Sequence, residues 1–198
     1  LTINTLIFLK IERTLVISKF DRRRWRERMS KLSPNQKKWL LSGHIGFAAL
    51  WTGTVLSMFL LSLQNTSSVN ADAMYSLNAA INLLDDWIVI PAAMGSVVTA
   101  TALCWGTNYG FTKFYWVLAK WLLTTGLILF GTFWLFPWGQ ASEAISRQEG
   151  LQAFSNATYT FDAMGVLLGT ATQVLFLLII IGISVLKPWG RRPAGEKD

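Results

Sequence analysis

Residues 39–63 read WLLSGHIGFAALWTGTVLSMFLLSL, a run that contains no Asp, Glu, Lys or Arg. Lys37 and Lys38 stand just before it, and the polar stretch Gln64-Asn65-Thr66-Ser67-Ser68 follows. At 1.5 Å per residue, about twenty apolar residues cross a hydrocarbon core roughly 30 Å thick. The run therefore predicts a membrane-spanning helix. Three more runs extend the pattern. Residues 87–105 begin and end on tryptophan, and Pro91 one turn inside predicts a kink whose freed carbonyl is re-satisfied by neighbouring helices. Residues 114–136 form a third run, closed by Pro137-Trp138-Gly139, and residues 163–186 a fourth, stopped by Lys187-Pro188-Trp189-Gly190. Between them, residues 71–84 read as a helical approach segment, 106–110 (GTNYG) as a turn, and 140–160 as a polar stretch with some helix around 141–154. The expected fold is all-α, a four-helix transmembrane bundle.

Composition agrees. Charged residues make up 15% of the 198-residue chain and hydrophobic residues 52%, against about 25% charged in a soluble domain. The ten tryptophans mostly flank the apolar runs, where an indole sits at headgroup level. The net charge of +7 clusters at the ends of the spans, which points to anionic lipid headgroups rather than nucleic acid. With four spans, both termini and the loop between the second and third share one side. That side holds all but one of the 18 Lys and Arg residues, Arg147 being the exception. The positive-inside rule then puts both termini in the cytoplasm of a bacterial cell, with the chain in its inner membrane. Asp72, Asp85, Asp86, Glu143, Glu149 and Asp162 fall on the outer side.

Residues 1–36 form a basic extension. Because the chain opens on Leu1, Met29 is a candidate true start, and the stretch before it reads either as an interfacial amphipathic helix or as untranslated. The membrane domain covers residues 37–190, and residues 191–198 form a cytoplasmic tail. The orientation holds with or without the residues before Met29.

Several chemistries are excluded at once. Cys104 is the single cysteine and His44 the single histidine, so neither an intrachain disulfide nor a His- or Cys-cluster metal site forms. No phosphate-binding Gly loop, HExxH or nucleophile elbow is present. Asn65-Thr66-Ser67 and Asn156-Ala157-Thr158 match the glycosylation pattern, which carries no meaning in a bacterial protein.

The remaining candidates are few. His44 lies little more than one turn inside the first span, with Trp51 on the same face. It reads as an interhelical hydrogen-bonding imidazole or as a cofactor contact: a haem ligand, a quinone partner or a proton relay. Lys120 reaches a similar depth in the third span, with Lys113 and Thr124 on its face. It reads as a snorkelling lysine or as a cation that holds an acidic group such as a propionate or phosphate. Asp85 and Asp86 at the outer border read as a solvated boundary or as proton or cation handlers, with one carboxylate turned into the bundle. Cys104 reads as a small packing residue on the face shared by Asp86, Ile90, Ala93, Val97 and Thr101. Ala49, Gly53 and Ser57 recur every four positions and form a small-residue row that admits a close helix. A homo-oligomer or a membrane partner is the expected user of such a seam.

Taken together, WLLSGH at 39–44 with WTG at 51–53, WIVIP at 87–91, YWVLAK at 115–120 and LKPWG at 186–190 carry a resemblance. From Lys38 to Gly190 the chain resembles a family of uncharacterised bacterial four-helix membrane proteins, a domain of unknown function. The first-helix His followed by Trp-x-Gly, with a Lys on a later helix, is also similar to the four-helix haem-pathway protoporphyrinogen oxidase and to the membrane part of copper-resistance protein D. The oxidase resemblance implies that His44 binds haem and Lys120 is functional. Having one histidine departs from both patterns, so a second axial ligand would come from a second copy, Cys104, Met58, Met94 or a non-protein ligand.

Three functional classes follow. The first is a non-enzymatic accessory or small-ligand-binding module. The second is a haem-linked redox enzyme using His44 and Lys120. The third is a proton-coupled transporter using Asp85 or Asp86, although four helices are few for one.

Overall fold

The structure is a computed structural model that describes residues 32–107 and 110–190. The basic extension before Leu32, with Met29, and the tail from Arg191 lie outside the described residues.

Four helices, each long and apolar enough to cross a membrane, make up the described chain. They are α1 (Pro34–Asn65), α2 (Ala71–Gly106), α3 (Tyr115–Ser155) and α4 (Ala157–Leu186). The all-α bundle is as the sequence predicts. Each start has a local cause. The Ser33 hydroxyl accepts from the Gln36 N–H while the Gln36 side chain accepts from the Ser33 N–H, with Pro34 in the first turn. Asn70 and Asn156 accept from the free N–H groups that open α2 and α4.

The boundaries of two helices differ from expectation. The approach segment 71–84 is helical, as predicted, and runs without a break into the second span. The third span does not end at Pro137. The helix passes through Pro137-Trp138-Gly139 and continues to Glu149 before a tight 3-10 turn, Gly150–Ser155. The reason is the same in both helices. A single π turn, Asp85–Val89 in α2 and Gly131–Leu135 in α3, ends two residues before the proline. The Ile90 N–H reaches back to the Asp85 carbonyl, and the Phe136 N–H to that of Gly131. The widened turn is the means by which each helix admits a proline, which has no N–H and crowds the preceding turn.

Exposed tryptophans frame the apolar band. Trp39 (80% exposed) and Trp105 (78%) mark the basic end, and Trp87 (76%) marks the acidic border beside the π turn. From Trp87 to Trp105 the rise is about 27 Å, close to one hydrocarbon thickness. With 36 and 41 residues, α2 and α3 are longer than a span requires. Their excess lies beyond the π turns, on the acidic side.

Packing changes at those turns. On the acidic side the four helices close a ring: α1 on α2, α2 on α3, α3 on α4, and α4 back on α1. On the basic side, Ile90–Gly106 packs mainly on α1 and Tyr115–Phe130 mainly on α4, with little close backbone contact between these two segments. Within the apolar band the bundle is thus an open arc ordered α2, α1, α4, α3. Close contacts pin the arc and the ring. Gly95 lies under the Phe47 ring and Gly165 under Trp138, while Gly139 faces the Asn82 amide.

The closed ring is held by buried amides. Asn65 Nδ2 donates to Asn78 Oδ1 (3.1 Å) and to the Tyr159 hydroxyl (3.0 Å), joining α1, α2 and α4. Asn82 Nδ2 donates to the Gly139 carbonyl (3.1 Å) and to Glu143 Oε2 (2.6 Å), joining α2 to α3. The row Ala49, Gly53 and Ser57 faces outward, and a side-chain carbon at Gly53 would meet nothing within 4 Å.

Replacing Gly139 with Ala places a methyl 2.5 Å from Asn82 Oδ1. Gly139→Ala is expected to lower the thermal unfolding midpoint of detergent-purified protein by several degrees, the effect of roughly 1–3 kcal/mol of overpacking. Gly53→Leu is expected to leave the monomer's midpoint unchanged, so a change in its elution volume would report a contact between copies or with a partner.

Candidate functional site

The open side of the arc gathers the chemistry that the sequence picked out at the basic end. His44 projects from α1 toward α2. Its Nδ1 lies 3.1 Å from the Ser96 carbonyl oxygen and 3.0 Å from Thr99 Oγ1. A carbonyl oxygen only accepts, so Nδ1 carries the proton. The Thr99 hydroxyl meanwhile donates along its own helix, to the Gly95 carbonyl at 2.7 Å, which leaves its oxygen free to accept from His44. In the neutral ring the lone pair then belongs to Nε2, and the backbone of α2 fixes the plane in which it lies.

Lys120, half-buried on α3, is close enough for its charge to act on His44 across the arc, and it also interacts electrostatically with Cys104 on α2. Three helices thus bring Lys120 within electrostatic reach of His44 and of Cys104, although the residues are far apart in sequence. Lys120 Nζ also lies 5.9 Å from the ring centre of Trp116, one turn earlier on α3. Trp116 is buried, and Lys187 at the end of α4 brings its Nζ to 5.8 Å from the same ring centre. Phe111, in the loop between α2 and α3, stacks at a tilt on Trp121 with centroids 5.7 Å apart.

Deeper on the His44 face sits Trp51, 3% exposed at the centre of the apolar core with Val55, Met58, Val89 and Ala93. Its indole N–H has no acceptor among the described residues. Buried donors rarely go unpaired, so this one marks the place where the bundle interior departs from simple packing.

The other candidates lie elsewhere. Asp85 is half-buried and Asp86 exposed in the π turn of α2, one carboxylate turned in and one out. They sit at the acidic border of the apolar band, far along α2 from Thr99 and Cys104. Met58 belongs to the core, and Met94 is 64% exposed. No group of three or more His, Cys, Asp or Glu side chains is placed to hold a metal among the described residues.

Four residues of this site were not singled out from the sequence. Ser96 and Thr99 act through a backbone carbonyl and a hydroxyl on a helix that reads as uniformly apolar. Trp116 reads as one more belt aromatic, and Lys187 as a helix stop. Only the helical spacing of Trp116 and Lys120 hinted at a pair. Compared with family models, curated proteins and solved structures, the chain matches none.

Because His44 is the only histidine in the chain, its state can be read without assignment. In ¹⁵N-His-labelled protein in lipid at neutral pH, the imidazole shifts are expected to report a neutral ring protonated at Nδ1. A ring protonated at Nε2 would contradict the Ser96 hydrogen bond. Thr99→Val is expected to leave the tautomer in place, since the carbonyl remains.

Proposed function

We propose that this chain is a non-enzymatic module of a bacterial inner membrane that holds the acidic headgroup of an anionic amphiphile at its basic, cytoplasmic end. One observation carries the reading. The segments Ile90–Gly106 and Tyr115–Phe130 make little close contact within the apolar band, and Lys120 on the second lies within electrostatic reach of His44, which α1 holds against the first.

Two physical arguments support it. An ammonium one turn and a half inside a span costs roughly 2.5–3.5 kcal/mol near the centre of a helix and less toward its end, and an acidic group at the same depth offsets that cost. An arc open between α2 and α3 also reaches the bilayer sideways. A ligand with a charged head and an apolar tail can therefore enter along its own length without leaving the membrane. A water-soluble ligand has no such reason to meet exposed leucines and valines such as Leu118, Leu122 and Val98.

Mass spectrometry of lipids extracted from the detergent-purified protein tests the reading. The wild type is expected to retain acidic lipid at several times its share of the membrane, and Lys120→Ala to lose most of that enrichment, since a charge-assisted contact contributes about 1.5–3 kcal/mol. Equal enrichment in both proteins, with Lys120→Ala folded by thermal unfolding, would sink the proposal.

A second reading is haem-linked redox chemistry, and the His44 geometry favours it. A ring whose Nδ1–H is held by a backbone carbonyl is oriented as ligating histidines commonly are, with Nε2 presented. His44 would be the residue of this chain that holds such a group, through Nε2, and Lys120 would meet one of its acid groups. Haem bound there would supply electron transfer, and the chain's own part would be to orient His44 and neutralise an acid group. Absorption spectra of oxidised and dithionite-reduced protein decide it. A Soret band that vanishes in His44→Ala supports haem, and tryptophan absorption alone leaves the amphiphile reading in place.

A further inference from the structure

The two halves of α3 are held differently. Beyond the π turn, Phe136–Glu149 packs on both α2 and α4, and the Asn82 amide ties it to α2 through Gly139 and Glu143. Short of the turn, Tyr115–Phe130 packs mainly on α4. The matching half of α2 is pinned to α1, with the Phe47 ring over Gly95 and His44 bonded to Ser96 and Thr99. The basic half of α3 is thus a segment held chiefly by one neighbour. Segments with few packed neighbours are where a fold opens at least cost.

The joint between the two halves has free hydrogen-bonding capacity. The Phe136 N–H reaches back to the Gly131 carbonyl, which takes from the Thr132 carbonyl the donor that an α-turn would give it. Pro137 has no N–H to offer the Phe133 carbonyl. Two successive carbonyls therefore lose their α-helical donors, and helices bend at such turns.

Gln173 of α4 stands at this joint. Its Nε2 lies 3.2 Å from the position that a β-carbon on Gly131 would take. The side chain is 4% exposed, and its amide has no hydrogen-bond partner among the described residues. Buried amides seldom go unpaired, and hydrocarbon supplies no water to complete them. The acceptors nearest in sequence to Gly131 are the carbonyls that the π turn releases. A change of bend at the turn moves those carbonyls relative to Gln173, so the amide gains a partner in one bend and lacks it in the other.

We propose that the π turn Gly131–Leu135 is a hinge, that Tyr115–Phe130 swings on it between the open arc and a second position, and that Gln173 latches the second position by donating to a carbonyl of the turn. Lys120 rides on the swinging segment, whereas His44 stays with α2, so the swing sets the width of the side opening between α2 and α3. The inference rests on the fold and not on the identity of any ligand.

Distances between paired spin labels test this in the full chain, reconstituted in phosphatidylcholine nanodiscs. With Cys104→Ser as background, Val98→Cys with Leu122→Cys labels exposed positions on the basic halves of α2 and α3. Leu83→Cys with Gln140→Cys labels exposed positions on their acidic halves. The basic pair is expected to give two distances and the acidic pair one. Gln173→Leu and Gln173→Met remove the amide at similar volume, and each that folds by thermal unfolding is expected to leave the basic pair with the single distance of the open arc. Pro137→Ala returns a donor to the Phe133 carbonyl and is expected to narrow the same distribution. A single basic-pair distance in the wild type, as narrow as that of the acidic pair, overturns the hinge, as does a basic-pair distribution unchanged in Pro137→Ala. Two distances that persist in Gln173→Leu or Gln173→Met overturn the latch. Each of these outcomes leaves the amphiphile reading standing.

Discussion

In hydrocarbon, every backbone N–H and C=O must find its partner within the protein, and this constraint governs the shape of the bundle. Helices satisfy it, and a proline inside a helix breaks it. Pro91 and Pro137 fall near one border of the apolar band, each two residues beyond the end of a π turn that reroutes a hydrogen bond to the carbonyl five residues back. The two helices that carry these turns are the two whose mutual packing changes there. Beyond the turns α2 and α3 meet, and short of them they separate. The open arc at the basic end and the closed ring at the acidic end thus share one origin in the way the chain accommodates proline.

The two ends solve different problems with different residues. At the acidic end the helices rise out of the apolar band, and side-chain amides become useful. Asn65, Asn78 and Asn82 tie four helices together through Tyr159, Gly139 and Glu143. Buried hydrogen bonds of this kind fix one arrangement because every alternative leaves a donor without an acceptor. The polar groups of the basic end include a histidine oriented by a backbone carbonyl and a half-buried lysine near Trp116, with an exposed lysine from the end of α4 near the same tryptophan.

Apolar length, aromatic borders and the distribution of Lys and Arg were legible in residues 39–63 and their three counterparts. They rest on the bilayer acting as solvent, which constrains each segment separately. For the same reason the candidate residues His44 and Lys120 stood out: a charge or an imidazole in an apolar run is conspicuous without knowledge of its neighbours. Pro137 misled, because a proline after an apolar run ends most helices. Only the π turn, a feature of hydrogen-bond register rather than of residue type, lets α3 continue to Glu149.

What the sequence by itself determined is the class of the protein: four spanning helices, a basic side and an acidic side, and the depth of each unusual residue. Those are one-dimensional properties, set by rise per residue and by transfer from water to hydrocarbon. Which residues meet was decided only by the tertiary structure. That Lys120 comes within electrostatic reach of His44, that Lys120 and Lys187 both approach Trp116, that Ser96 fixes the imidazole tautomer, and that Ala49, Gly53 and Ser57 look outward all depend on how the helices rotate and pack. Helical periodicity gives the faces of one helix, but not the neighbour toward which each face turns, because that choice is made by packing among all four at once.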